Sequence, residues 1–365
     1  MLDFKRLIDK LRAERSLSAE ELRQLIDGYD DETLVYAAAA ARAVTEAHFG
    51  DGVYLRGLIE VSSRCRNDCR YCGLRRSNRR AERYRLEPEE ILAACAAGYR
   101  AGLRTFVLQG GEDPALTDAL LVPLIAEIHR RWPDCALTLS LGERSDASYE
   151  ALYAAGATRY LLRHETIDEA HYRLLHPDDM SLARRLACLD ALRRIGYQTG
   201  TGMMIGAPGQ TAARLAADVA FIARFRPHMI GIGPFVPQHD TPFGREPAGS
   251  VRTTLLLISV PRLLAPRALA HSAAGFVVAR DHGPGDPRPG GTATRHPGRR
   301  KRGDAQPLAL RGAAEIRHLR RQGRRRLRSR GGTRRPHEGA GRHRPPPVVR
   351  TRRLRRPARR RTRKF

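Results

Sequence analysis

The chain has 365 residues, with 66 Lys and Arg against 39 Asp and Glu and a formal net charge of +27. Residues 271–365 alone hold 30 Lys and Arg and 5 Asp and Glu, so residues 1–270 are nearly neutral and offer no broad basic face for nucleic acid. All six cysteines lie in the neutral part, without the even, close spacing of a disulfide framework; a small secreted domain is excluded and a reducing cytoplasm is the expected compartment.

The N-terminus mixes acids and bases with no apolar core, which does not read as a signal peptide, and no later stretch is apolar enough to span a bilayer. Leu2, Leu7, Ile8 and Leu11 recur at helical spacing. Ser18-Ala-Glu-Glu21 then has the form of a capping box before Leu22, Leu25 and Ile26, so residues 1–48 read as a helical N-terminal extension. From residue 49 the pattern alternates short apolar strands with longer amphipathic segments. Strands are expected at Leu55 to Ser62, Thr105 to Leu108, Ala136 to Leu141, Tyr160 to Arg163, Thr199 to Ile205 and Met229 to Phe235. Helices are expected near 88–102, 117–131, 147–155, 181–195, 211–225 and 252–265.

Strand and helix alternating at this spacing predict a parallel α/β sheet, and polar or glycine-rich runs after nearly every strand favour a TIM-type (β/α)8 barrel. Six βα units are recognisable over residues 49–268, so the barrel is expected to be incomplete. From about Ala270 the sequence is Arg, Pro and Gly without sustained period, and residues 269–365 read as a disordered basic tail or an out-of-frame translation of GC-rich DNA. The out-of-frame reading is preferred: one set of codons for Glu315 to Arg320, moved by one base, encodes Lys-Tyr-Asp-Ile-Tyr-Asp. A tail that binds nucleic acid is the alternative from another functional class.

The chemistry concentrates after the first strand, in Val61-Ser-Ser-Arg-Cys-Arg-Asn-Asp-Cys-Arg-Tyr-Cys-Gly-Leu. Cys65, Cys69 and Cys72 have the spacing Cys-x3-Cys-x2-Cys. Three thiolates hold three irons of a cubane cluster and leave the fourth open, whereas electron-transfer clusters and structural zinc sites are closed by four ligands. A zinc knuckle with a distant fourth ligand is the alternative. Arg64, Arg66, Asn67, Asp68 and Arg70 surround the thiols, and cationic neighbours are expected to favour thiolates. Cys95, Cys135 and Cys188 lie in apolar elements and read as core residues.

This loop resembles the signature of the radical S-adenosylmethionine (radical SAM) superfamily, Cys-x3-Cys-x-aromatic-Cys after the first barrel strand. The resemblance implies a [4Fe-4S] cluster on Cys65, Cys69 and Cys72, with SAM chelating the open iron. One electron would break the sulfonium S–C5′ bond to give methionine and a 5′-deoxyadenosyl radical. It assigns Tyr71 to shielding the cluster or touching the cofactor, and Gly110, Gly111 and Glu112 to the SAM ammonium. Ser140 would face the barrel mouth, and Glu165 would accept from the ribose or the ammonium. Arg185 would pair with the SAM carboxylate, its neighbour Arg184 leaving the register open by one. Met204, within Gly202 to Gly209, would wall the adenine. No catalytic role falls on a protein side chain. For Arg163 and Glu165, an internal salt bridge is the other reading.

Cys72-Gly-Leu-Arg-Arg-Ser-Asn78, Arg83-Tyr-Arg-Leu-Glu-Pro-Glu-Glu90, Arg163-His-Glu-Thr166 and Gly231 to Pro242 together are similar to the [FeFe]-hydrogenase maturases of the HydE family, in the biotin-synthase-like branch, over about residues 1–268. That resemblance implies a part in assembling the H-cluster di-iron subcluster. It also implies a small iron-cyanide-carbonyl-cysteine substrate near Arg163, His164 and Thr166, other maturases and an electron donor as partners, and no membrane or nucleic acid. A biotin synthase-like or methylornithine synthase-like enzyme acting on an organic substrate is the nearest alternative. No cysteine follows Cys188, so no auxiliary C-terminal cluster is expected.

Overall fold

The computed structural model describes residues 3–50 and 55–266. The tail at 269–365, its reading frame and nucleic-acid role, and any seventh and eighth strands lie outside the described residues. Three helices come first: α1 (Phe4–Glu14), α2 (Ala19–Gly28) and α3 (Asp31–Phe49). Each has an acceptor side chain at its N-cap, Asp3, Ser18 and Asp30, because the first-turn N–H groups have no partner within the helix. The expected capping box is present: Glu21 N donates to Ser18 Oγ at 3.1 Å and Ser18 N to Glu21 Oε2 at 2.8 Å.

Six parallel strands follow in the spatial order of the chain: β1 (Gly57–Ser62), β2 (Thr105–Gly110), β3 (Ala136–Ser140), β4 (Arg159–Leu161), β5 (Gln198–Ile205) and β6 (Met229–Pro234). The helices that return the chain are α4 (Pro88–Arg100), α5 (Asp118–Arg131), α6 (Asp146–Ala154), α7 (Glu169–Leu175), α8 (Leu182–Ile195) and α9 (Ala212–Phe225); α10 (Val251–Leu264) follows β6. A strand order that never reverses has no switch point of the doubly wound kind; it is the order of a barrel wall. Every expected strand and helix is found, and α7 is additional. The strand expected at Tyr160 to Arg163 ends at Leu161, and the chain rejoins β5 at Glu165, which bridges Met203 and donates its N–H to Gly202 O at 3.0 Å with a left-handed φ of 63°.

Alternation divides each strand between two environments. Ile59, Val61, Phe106, Leu108, Leu137 and Leu139 pack beneath α4, α5, α6 and α8 in one core. Met203, Ile205, Ile230 and Ile232 pack beneath α9 and α10, and α1 to α3 close over that second core. The opposite face is concave. Leu58 of β1, Val107, Gln109, Thr138, Leu161 and Gly231 of β6 line one cavity of about 160 Å³, and Arg56 Nη1 reaches Met229 Sδ at 3.9 Å. The sheet therefore curls until its two edges share one lumen, and the six C-terminal strand ends converge at its mouth. Among the described residues no helix is long and apolar enough to cross a membrane.

Candidate functional site

The loop after β1 is held by its backbone. Arg83 donates to four of its carbonyls, those of Ser63, Leu74, Arg75 and Asn78, at 2.5 to 3.0 Å. Asp68 accepts from Arg75 Nε at 2.9 Å and Ser77 N at 3.0 Å, and Asn78 Nδ2 donates to Gly73 O at 2.8 Å. Three further bonds tie the loop to its surroundings: Arg66 N to Glu112 O at 2.9 Å, Arg70 N to Leu175 O at 2.9 Å and Phe243 N to Arg70 O at 3.3 Å. Cys65, Cys69 and Cys72 are half-buried on this frame and none is in a disulfide.

For Cys65 and Cys69 the shift runs opposite to the expectation. Burial first, and then the neighbouring Cys72 and Cys65, push the Cys69 thiol well above its ordinary value, and burial pushes Cys65 up as well. Arg64, Arg66 and Arg70 are exposed, so water screens the cations that the sequence sets beside the thiols. Cys95 and Cys188 are buried as expected, and Cys135 is half-buried.

The second strand ends against this loop. A Cβ on Gly111 would stand 2.3 Å from Arg64 O and 2.7 Å from Cys65 Cβ, so only glycine lets the two turns meet. Glu112 then crosses to the third turn: its Oε1 accepts Glu143 N at 2.9 Å and its Oε2 pairs with Arg66 at 3.0 Å. Gly142, at φ 78°, makes room for it, since a Cβ there would lie 1.9 Å from Glu112 Cγ. Tyr160 locks the same turn by donating its hydroxyl to Gly142 O at 2.8 Å. Ser140 ends β3 opposite Gln109, on the lumen face, because Leu137 and Leu139 face the helices.

Glu143 carries the link to α8. Arg185 Nε donates to Glu143 Oε1 and Arg185 Nη1 to Arg163 O, both at 2.6 Å. Arg185 is buried, whereas Arg184 is exposed and donates to Arg144 O, so the inward register belongs to Arg185. Glu143 was not among the expected site residues. Its signal is a carboxylate directly after the Gly that follows a barrel strand, legible only once Arg185 is known to meet it.

After β4, Arg163 Nε donates to Glu165 Oε1 at 2.8 Å, the internal ion pair. His164 is placed elsewhere. With Arg163 and Glu165 facing the lumen, the residue between them turns to the helix side, where His164 is fully buried. Its Nδ1 lies 2.9 Å from Thr201 Oγ1, its Nε2 lies 3.7 Å from Asp218 Oδ1 and its ring packs on Phe221. That surrounding corrects the expectation of a substrate contact at His164. Thr166 is also fully buried, its hydroxyl accepting from Asp168 N at 3.2 Å in the turn into α7.

Burial lowers His164 to about 3 and raises Asp218 to about 8, so this pair is neutral near pH 7. The folded chain holds the Asp218 proton more tightly than the unfolded chain, whose carboxyl has its ordinary value of 3.8. The stability this contributes is complete below about pH 4 and is lost as pH rises through about 8. Asp218→Asn keeps an acceptor for Ile167 N and removes the titration. Its melting temperature is therefore expected to gain on the parent's between about pH 5 and about pH 8; a constant difference across thermal scans in that range contradicts the buried acid.

Tyr71 and Met204 meet at the mouth in a small apolar cluster with Leu175, Ala207, Phe235 and Phe243. Tyr71 is steered by α7, since its hydroxyl lies 3.3 Å from His176 Nε2 and its ring meets the imidazole edge-on. His176 is buried and lowered to about 3, first by burial and then by Arg185. The neutral ring donates from Nδ1 to Tyr172 O at 3.0 Å, so Nε2 accepts from Tyr71. Beyond Glu112 and Glu143 the mouth opens into a polar cleft of about 380 Å³ lined also by Asp113, Asp118 and Arg144.

The site thus joins three thiols, a buried arginine, a carboxylate and an apolar wall around one strand-end mouth, an arrangement suited to a cluster beside a zwitterionic ligand. The profile described as Radical SAM superfamily matches residues 59–222. The [FeFe] hydrogenase maturase subunit HydE of Thermotoga maritima is 43% identical over 226 residues, 62% of this chain and 64% of the maturase, so the match spans less than two thirds of that relative. A 3-methylornithine synthase of Methanosarcina acetivorans is 28% identical over 73% of this chain and 76% of its own. The crystal structure of methylornithine synthase PylB superposes with a TM-score of 0.67 at 25% identity, covering 87% of this chain and 96% of that one.

Proposed function

We propose, from the match of residues 59–222 to the Radical SAM superfamily profile, that the chain is a radical SAM enzyme of the [FeFe]-hydrogenase maturase type. The observation that carries the reading is the three-thiol loop on the end of β1, stitched to Glu112 and standing beside Arg185. When bound, a [4Fe-4S] cluster would supply one electron to SAM, breaking its S–C5′ bond to release methionine and a 5′-deoxyadenosyl radical.

The residues present fit that group. Three thiols, none in a disulfide, come from one loop, Cys69 lies near the other two, and Gly111 leaves backbone room beside Cys65. Among the described residues no three Cys, His, Asp or Glu side chains are preassembled as a metal site, so the fit rests on the thiol chemistry and the braced backbone. Cys65, Cys69 and Cys72 would hold three irons. Glu143 takes Arg185 Nε and Arg163 O takes Nη1, which would leave Nη2 for a ligand carboxylate. Glu112, with the Gly110 and Gly111 carbonyls, would take the ammonium. Ser140 and Glu165 would accept from the remaining polar groups, and Met204 and Tyr71 would exclude water from the adenosyl end.

The maturase reading, with an iron-cyanide-carbonyl-cysteine substrate near Arg163, partner maturases and an electron donor, is supported by the 43% identity to HydE. The coverage of 96% of PylB supports a second reading, a methylornithine synthase-like enzyme on an organic substrate. Reconstitution of the chain with iron and sulfide under anaerobic reduction is expected to release 5′-deoxyadenosine from SAM. No such product from a preparation carrying a full cluster would rule the enzyme reading out. Deuterium transfer into candidate substrates separates the two branches.

A further inference from the structure

Helix α7 brings a second aromatic residue to the same mouth. Asp168 caps the helix by accepting from His171 N at 2.7 Å, and the buried side of the turn carries His171, Tyr172 and Leu175. Tyr172 is fully buried and stacks on His176, ring centroids 4.0 Å apart and planes 24° from parallel. Among the described residues it belongs to none of the three apolar clusters, and its hydroxyl has no hydrogen-bond partner. Burying a hydroxyl without a partner is costly, and few such groups persist in a folded chain.

The surroundings of that hydroxyl identify what it lacks. After burial itself, the groups that act on the phenol are Arg185 first and then Glu143, Cys69 and Glu165. Arg185 has only donors, so it cannot accept the Tyr172 proton. An acceptor that sits on Arg185 can. A carboxylate has lone pairs enough for the guanidinium on one side and a phenol on the other.

We propose that Tyr172 is a further ligand-binding residue, its hydroxyl donating a hydrogen bond to the carboxylate of an amino-acid head group held by Arg185. The inference rests on the reading of SAM as the ligand of this mouth. Glu112 and Arg185 would grip the two charged ends of the head group, and Tyr172 would fix the rotation of the carboxylate between Arg185 and the thiol loop. No bond is made or broken at Tyr172.

Tyr172→Phe removes only the hydroxyl and keeps the stack on His176. In cluster-reconstituted full-length protein, equilibrium dialysis is expected to show SAM binding weakened roughly tenfold or more, the scale of a hydrogen bond to a charged group. The melting temperature without SAM is expected not to fall, because no partner is lost. Decarboxylated SAM is expected to bind parent and variant alike. Unchanged SAM affinity in the variant, or equal weakening for both ligands, overturns the role of Tyr172 while leaving the SAM reading intact. Failure of the parent to bind SAM overturns both.

Discussion

Alanine at any one of Cys65, Cys69 or Cys72 is expected to abolish the iron–sulfur chromophore and with it all SAM cleavage. Three thiols are the minimum that holds a cubane while leaving one iron open, so two cannot substitute for three. The braced loop makes the loss specific: the Arg83 bonds, the Asp68 pairs and the Asn78 bond all run through groups other than the thiols, and the turn survives when one thiol is removed. Cys135→Ala is the matched control, a half-buried cysteine outside the loop, and is expected to retain full iron. Iron and sulfide analysis together with visible absorbance after anaerobic reconstitution reads the result. Parent-like iron in a single triad variant would falsify the ligand assignment.

Loss of the Arg185 guanidinium is expected to have the largest combined effect on folding and binding. Arg185→Leu leaves the Glu143 carboxylate, whose side chain is 11% exposed, without its partner. Breaking such a pair from one side costs about 3–5 kcal/mol, because the remaining charge stays out of water. The same variant loses the proposed carboxylate grip, so SAM binding is expected to disappear. The double variant Arg185→Leu with Glu143→Gln separates the two losses: neutralising the stranded acid is expected to restore most of the stability in urea unfolding and none of the SAM affinity. Recovery of both would mean that Arg185 only braces the β3 turn.

How much of this was legible in advance depended on the range of the interaction. Ala136 to Leu141 read as a strand in which Ser140 alternates with Leu139 and Leu141, and the structure buries Leu137, Leu139 and Leu141 under helices. Helix α7 was missed because it is seven residues long and its buried side is His171, Tyr172 and Leu175, a face that carries no apolar stripe. Strand alternation puts Arg163 and Glu165 on one side, yet applied to the residue between them it also takes His164 away from the ligand. The structure follows that rule and seats His164 against Asp218 and Thr201.

By itself the sequence determined the order of the βα units and the three-thiol loop. It also carried the Gly-Gly-Glu turn that comes after β2 and the Arg184-Arg185 pair of α8, without saying which of the two faces inward. These rest on period, spacing and residue chemistry within a few neighbouring positions. Only the tertiary structure decided that Glu143 links Glu112 to Arg185, that the arginines around the thiols face water, and that His176 meets both Tyr71 and Tyr172. Those relations join residues that the barrel brings together from different strand ends, 42 positions apart for Glu143 and Arg185. No local pattern records such a meeting, because it depends on which strand ends the curled sheet makes neighbours.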